Sequence, residues 1–304
     1  MILATSASEA ELNEMFDRAV ALHSENRTDE ALGLYVDLMG FRQTSEFFRK
    51  QLMWPVLNNL IMLLHFGGHP QVALSAYREA INESGRKYPE AFETLYCRAM
   101  EITNTAPVPF KRAHRLYKLL DLLKSTEAVT GDVVECGCYQ GLSSYMLCSQ
   151  LRLLDDTFDG TGFHIFDSFA GLSSPEAEDQ VGDDHPDAGR VQSMCWPGNF
   201  AATLASVQTA MAEFPGVAFH PGWIPDRFPE MPERQYRFIH VDVDLYQPTR
   251  DALDYFFPRL SPGGMIVSDD YNWPGARKAI DEFATERPVK LTVNEWQQAV
   301  LTHM

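Results

Sequence analysis

Two pairs of carboxylates close strand-like apolar runs in the C-terminal half of the chain: Asp242 and Asp244 in His240-Val241-Asp242-Val243-Asp244-Leu245-Tyr246, and Asp269 with Asp270 in Ser268-Asp269-Asp270-Tyr271. Carboxylates gathered at the end of a buried strand repel one another unless protons or a cation intervene. If the two strands are neighbours, Asp242, Asp269 and Asp270 converge. Three hard oxygen donors suit a hydrated divalent cation such as Mg²⁺, with positions left for water and substrate oxygens. The plainer explanation of the same residues is helix N-capping by Asp244 and a turn at Asp270. Upstream, Glu135-Cys136-Gly137-Cys138-Tyr139-Gln140-Gly141 ends another apolar run and leads into a helical stretch at Ser143. Glycines in such a turn let a ligand approach the backbone, and a helix N-terminus offers free N–H groups to a carboxylate or other anion. The spacing is not Gly-x-Gly-x-x-Gly, which disfavours a nicotinamide oxidoreductase. The next run ends in Phe166-Asp167-Ser168-Phe169. An acidic side chain there can accept hydrogen bonds from the two ribose hydroxyls of a nucleoside.

These residues need a scaffold that gathers strand ends. Residues 133–136, 163–166, 217–220, 238–241 and 265–268 read as short buried strands, with helical stretches at 143–154, 200–213 and 249–259 between them. That alternation predicts an α/β fold with a parallel sheet and helices on both faces, whose ligands sit at the carboxyl ends of the strands. Before this region the pattern is helical throughout. Ser8 with Glu11 forms a capping box, and Ala31-Leu32-Tyr35 recurs as Ala73-Leu74-Tyr77 in a second helical hairpin. Asn104-Thr105-Ala106-Pro107-Val108-Pro109 breaks the register twice with proline. The expected division is an all-α helical-hairpin repeat domain over 1–105 and the α/β domain over 106–304. The helical segment resembles tetratricopeptide repeats, although its period exceeds their usual length of roughly 34 residues.

The chain has 304 residues, 25 basic and 42 acidic, a net charge of −17. So acidic a protein is a poor ligand for nucleic-acid phosphates or an anionic membrane surface. Its 45% hydrophobic residues are enough to fill cores. The N-terminal Met1-Ile2-Leu3-Ala4 lacks the basic start of a secretory signal, and five cysteines without Cys-x-x-Cys spacing suit a reducing compartment. A cytoplasmic location is the expectation. Cys136 and Cys138 read as small buried side chains, and His240 as a buried structural residue.

The loop Glu-x-Gly-x-x-x-Gly at 135–141 fits that of S-adenosylmethionine-dependent methyltransferases of the Rossmann-like class. From about His114 onward the chain resembles the metal-dependent sugar O-methyltransferases of antibiotic tailoring, the macrocin and mycinamicin O-methyltransferase family. The resemblance is carried by Gly131-Asp132-Val133-Val134-Glu135-Cys136-Gly137, Asp167-Ser168-Phe169-Ala170-Gly171-Leu172, Gly198-Asn199-Phe200, Gly222-Trp223, the segment His240 to Tyr246, Ser261-Pro262-Gly263-Gly264 and Asp269-Asp270-Tyr271. It implies a class I methyltransferase sheet. Glu135, Gly137, Gly141 and Ser143 would lie at the methionine end of S-adenosylmethionine, Asp167 and Ser168 at the ribose, and Gly222-Trp223 near adenine. Asp242, Asp269 and Asp270 match the family's ligands for Mg²⁺, which would lower the pKa of an acceptor hydroxyl. The acidic stretch 171–189, with Glu176, Glu178, Asp179, Asp183, Asp184, His185 and Asp187, reads as a mobile lid, and His185 is its candidate general base. The resemblance implies a small-molecule hydroxyl acceptor, a glycoside before a catechol. An inactive adaptor would have no use for the acidic cluster. Self-association, through the helical N-terminal segment, is also expected. The stretch Trp296-Gln297-Gln298-Ala299-Val300 departs from the family's usual ending.

Overall fold

The computed structural model describes residues 7–84, 88–107, 111–182, 184–186 and 188–304. Met1-Ile2-Leu3-Ala4, Val108-Pro109, and Asp183 and Asp187 of the acidic stretch lie outside the described residues. The chain divides into two compact units, Met1–Arg112 and Ala113–Met304. The division falls in a helix after the proline-rich break rather than at 105.

The first unit is all helical among its described residues: α1 (Glu9–Ser24), α2 (Thr28–Met39), α3 (Met53–Phe66), α4 (Pro70–Ser84) and α5 (Glu90–Ile102). The Ser8 hydroxyl accepts from the Glu11 N–H at 3.3 Å while the Glu11 carboxylate accepts from the Ser8 N–H at 2.7 Å, so the capping box forms as expected. Leu12, Ala19, Ala31, Tyr35, Leu38 and Phe48 are buried against one another. A 3₁₀ turn (Gly40–Gln43) and a π-helical stretch (Phe48–Leu52) lengthen the connection between α2 and α3.

The second unit opens with α6 (Lys111–Ser125), whose first residues straddle the division, and continues as β1 (Asp132–Cys136), α7 (Leu142–Leu154), β2 (Phe163–Asp167), α8 (Ala188–Met194), α9 (Leu204–Ala210), β3 (Ala218–Pro221), β4 (Tyr236–Val241), α10 (Tyr246–Phe256), β5 (Leu260–Ser268), α11 (Pro274–Glu286), β6 (Val289–Val293) and β7 (Ala299–His303). Its seven strands form one sheet in the order β3-β2-β1-β4-β5-β7-β6. The five expected strands are parallel, but β7 runs antiparallel to both β5 and β6, so the sheet is mixed. The last two strands escape a sequence reading because β6 is an exposed edge, with Lys290 and Thr292 among its few residues. The expected helix over 200–213 shrinks to α9, because Phe200 takes a left-handed φ of 61° and Thr203 caps the helix by accepting from the Ser206 N–H at 3.1 Å.

Strand order reverses at the β1–β4 junction, where an open α/β sheet leaves its ligand crevice. Both faces are covered. Val134, Cys136, Ile239, Val241 and Ile266 pack under α10 and α11, while Val133, Phe163, Ile165 and Phe238 are buried on the opposite side. Phe256 of α10 centres the first layer, with its ring 5.0 Å from Phe228, 5.1 Å from Tyr236 and 5.9 Å from Phe166. Phe256→Ala removes this hub and leaves a cavity, and should cost about 3–5 kcal/mol of unfolding free energy in a chemical-denaturation titration.

Candidate functional site

The turn after β1 is built around a close approach. Gly137 has φ 84°, and a Cβ placed on it would lie 1.8 Å from the backbone oxygen of Asp242, so no other residue fits where β1 and β4 end side by side. Gly141, with φ 86°, starts α7. Asp167 at the end of β2 ties this turn down. One carboxylate oxygen accepts from the N–H groups of Cys138 (2.7 Å) and Tyr139 (3.2 Å), and the other from Phe169 N–H (2.7 Å). The Gly222 N–H donates to the Asp167 backbone oxygen at 2.9 Å, which draws the turn after β3 to the same place. Gly137, Gly141, Asp167 and Gly222 therefore share one rim, with half-buried Ser143 in the first turn of α7 and the exposed Trp223 ring after Gly222. Ser168 spends its hydroxyl inside its own turn, donating to the Gly171 oxygen at 2.9 Å. Tyr139 sets its ring edge-on to Phe200, with centroids 5.6 Å apart.

Glu135 does not line this rim. It is fully buried, with one oxygen accepting from the Ser144 hydroxyl of α7 and the other bonded to His240 Nδ1 at 2.9 Å across the β1–β4 register. His240 is buried, as expected, and its pKa lies above the ordinary value. Burial opposes its charge, but the hydrogen bond and negative charge of Glu135 outweigh that cost. Cys136 and Cys138 are likewise buried.

Adjacency of β4 and β5, with Val241 opposite Ser268, brings the acidic pairs together. The candidate ligand atoms of Asp242, Asp244 and Asp270 lie within 4.8 Å of one another, and so do those of His240, Asp242 and Asp269. Asp242 belongs to both groups, but Asp269 and Asp270 fall in different ones, so the expected convergence of Asp242, Asp269 and Asp270 divides into two groups that share Asp242. Asp244 is not the N-cap of α10. That position is Leu245, which makes no capping bond, and the open N–H of Tyr246 donates instead to Asp179 at 2.7 Å. Asp244 has φ 60°, and its own N–H donates to Asp270 Oδ2 at 2.9 Å. The signal for Asp244 in the sequence is a second carboxylate two residues beyond Asp242, just past the end of β4. Loss of water around the carboxyls, added to the neighbouring charges, pushes Asp242 up to about 6 and Asp244 to about 7, and drives Asp270 well above the carboxylate range. Asp269 faces opposite charge. The Arg115 guanidinium pairs with its Oδ2 and also donates to its backbone oxygen, while Gln298 Nε2 donates to Oδ1 at 2.7 Å.

The acidic stretch is docked at several points. Asp179 is buried, and a Cβ on Gly275 would fall 1.9 Å from its carboxylate. Arg190 lies 4.2 Å over the Trp273 ring, and Val191 packs with Trp273 and Ala276. His185 is exposed, its N–H donates to the Gly182 oxygen at 2.9 Å, and it belongs to neither carboxylate group. Arg115, Gln298 and Asp179 were not legible as site residues, because each reaches its partner from a segment remote in the chain.

The profile of the macrocin O-methyltransferase (TylF) family matches residues 105–301, and the chain belongs to that family. It is an O-methyltransferase. It is 28% identical over 260 residues to the 8-demethyl-8-(2,3-dimethoxy-α-L-rhamnosyl)-tetracenomycin-C 4′-O-methyltransferase of Streptomyces olivaceus, covering 84% of this chain and 86% of that one. It is 30% identical over 215 residues to the mycinamicin III 3″-O-methyltransferase of Micromonospora griseorubida, covering 69% of this chain and 77% of the relative. The first match is longer than the family segment, so the similarity runs into the N-terminal helices. The O-methyltransferase NovP shares the fold, with a TM-score of 0.52 at 24% identity over 66% of this chain and 82% of that one.

Crowded carboxyls make the metal-free protein pH-sensitive. A carboxyl whose folded pKa is raised stabilises the fold below its unfolded value near 4, and that stability is lost as pH climbs to the folded value. With Asp242 at about 6 and Asp244 at about 7, the melting temperature in chelator should fall between about pH 4 and pH 7. Asp244→Asn should flatten that fall in a differential scanning fluorimetry series.

Proposed function

We propose that this O-methyltransferase transfers the methyl group of S-adenosylmethionine to a sugar hydroxyl of a glycosylated small molecule, with a divalent cation at the aspartate cluster. The single observation that carries this reading is the cluster itself, set beside the Gly137–Gly141 turn at the strand-order reversal. The donors fit a hard cation: the carboxylate oxygens of Asp242, Asp244 and Asp270 lie within 4.8 Å of one another, as do those of Asp242 and Asp269 with a His240 ring nitrogen, and burial together with the neighbouring negative charges raises the pKa values of Asp242 and Asp244. Asp242, Asp269 and Asp270 would hold Mg²⁺, which when bound supplies Lewis acidity and a fixed position for the acceptor oxygen. The two named relatives support a sugar acceptor, since a rhamnosyl group appears in the name of one and both names specify O-methylation.

The chain's own residues divide the remaining work. The Gly137–Gly141 turn and the first N–H groups of α7 receive the carboxylate of the methionine moiety. Asp167 holds that turn through its backbone N–H groups and keeps spare acceptor capacity for a ribose hydroxyl. Glu135 acts from below, by fixing Ser144 and His240. Gly222 and Trp223 are assigned to the adenine side. Methyl transfer is an in-line displacement, so alignment of hydroxyl and donor supplies much of the rate. The hydroxyl proton also needs an acceptor. His185 was one candidate, but it is exposed and outside both groups, whereas the Asp244 carboxylate lies in the cluster with Asp242 and Asp270, and we assign the role to Asp244 on that placement.

Dialysis against chelator should abolish transfer from labelled S-adenosylmethionine, and added Mg²⁺ should restore it. Activity that persists after complete metal removal overturns the cation assignment. In a panel of glycosides and catechols the label should appear on a sugar hydroxyl, and turnover confined to catechols would overturn the acceptor class.

A further inference from the structure

The C-terminal hairpin reaches into the aspartate cluster through one side chain that the reading above leaves without a role. Gln298, at the turn before β7, is fully buried. Its Nε2 donates to Asp269 Oδ1 at 2.7 Å and to the Arg115 backbone oxygen at 3.1 Å, while its Oε1 accepts from Asn294 Nδ2 at 2.9 Å. Asn294 Oδ1 in turn accepts from the N–H groups of Trp296 (2.9 Å) and Gln298 (3.1 Å). These bonds settle the orientation of both amides. Turning Gln298 over would face its oxygen towards two acceptors and its NH₂ towards a donor, and turning Asn294 over would face its NH₂ towards two backbone donors. The hairpin is also fixed to α6, because the Trp296 ring stacks on His114 at 4.1 Å with planes 6° apart, one residue before Arg115.

Asp269 is thus gripped at both oxygens, Oδ1 by Gln298 and Oδ2 by Arg115. A carboxylate has about four lone-pair sites, so each oxygen keeps acceptor capacity while the plane of the group is fixed. Arg115 alone would let the carboxylate pivot about the remaining contact. We propose that Gln298 is a positioning residue for the cation site, holding the Asp269 carboxylate in the orientation that serves a cation shared with Asp242. This rests on the cation reading of the aspartate cluster and adds to it a residue from a hairpin remote in sequence. Supporting groups of this kind are typically worth about 10- to 100-fold in metal affinity.

The test is calorimetric titration of Mg²⁺ and Mn²⁺ into the full chain without methyl donor or acceptor. Gln298→Met keeps the bulk and removes the donor, and should raise Kd about 10- to 100-fold. Because Gln298 acts through Asp269, the same substitution should add less than about twofold in an Asp269→Asn background, which a general structural defect would not reproduce. Asn294→Asp keeps the turn acceptor but loses the donor to Gln298. It should shift Kd the same way by a smaller factor, and it carries the test if Gln298→Met does not fold. An unchanged Kd, or an equal loss in both backgrounds, overturns the proposal while the cation site stands. A parent protein that binds neither ion overturns the cation reading and this inference with it.

Discussion

Like-charge crowding at the ends of β4 and β5 is the constraint around which the second unit is arranged. Asp242 groups with Asp244 and Asp270 and separately with Asp269 where two parallel strands end in register, and a balancing charge, that of Arg115, comes from outside those strands. Arg115 comes from α6 and Gln298 from the last hairpin, and both converge on Asp269. The remaining three carboxyls have raised pKa values, a cost the fold tolerates without a full set of counter-charges. Excess charge of this kind is weak evidence of stability and better evidence of a site that expects a cation.

The crowding depends on how closely β1 and β4 approach. Gly137 leaves no room for a side chain against the Asp242 backbone, and Asp167 ties the glycine turn to the end of β2 through the N–H groups of Cys138 and Tyr139. Beneath them, the buried Glu135 joins β1 to His240 on β4 and to Ser144 on α7. The glycine turn and the acidic cluster are thereby parts of one rigid arrangement. Under the roles proposed for them, a methyl donor and an acceptor oxygen would be held at a separation set by backbone packing rather than by mobile side chains.

The acidic stretch after β2 joins this arrangement by an unexpected route. Asp179 satisfies the N-terminus of α10 that Leu245 leaves open, so the residues next to the cluster are capped from a distant segment. Asp244 is consequently free of the capping role and available to the cluster. Arg190 over Trp273 anchors the far end of the same stretch. Some of the acidic residues behind the net charge of −17 thus serve the fold, as Asp179 does, and others gather at the cluster.

Composition and local pattern determined much of this protein. Five parallel strands, the helices over 143–154 and 249–259, the glycine turn and the acidic strand ends were legible because each is a feature of adjacent residues: apolar runs of strand length, glycines just after such a run, and Asp at the end of a buried segment. The tertiary structure alone decided which acids share a point. Asp244 joined Asp270 and Asp269 turned to Arg115 and Gln298, because strand register and a helix and hairpin far apart in the chain choose those partners. The antiparallel β6 and β7 were hidden for a related reason. The short edge strand β6 carries little apolar signal of its own and pairs only with β7, which in turn pairs once β5 offers an edge to meet.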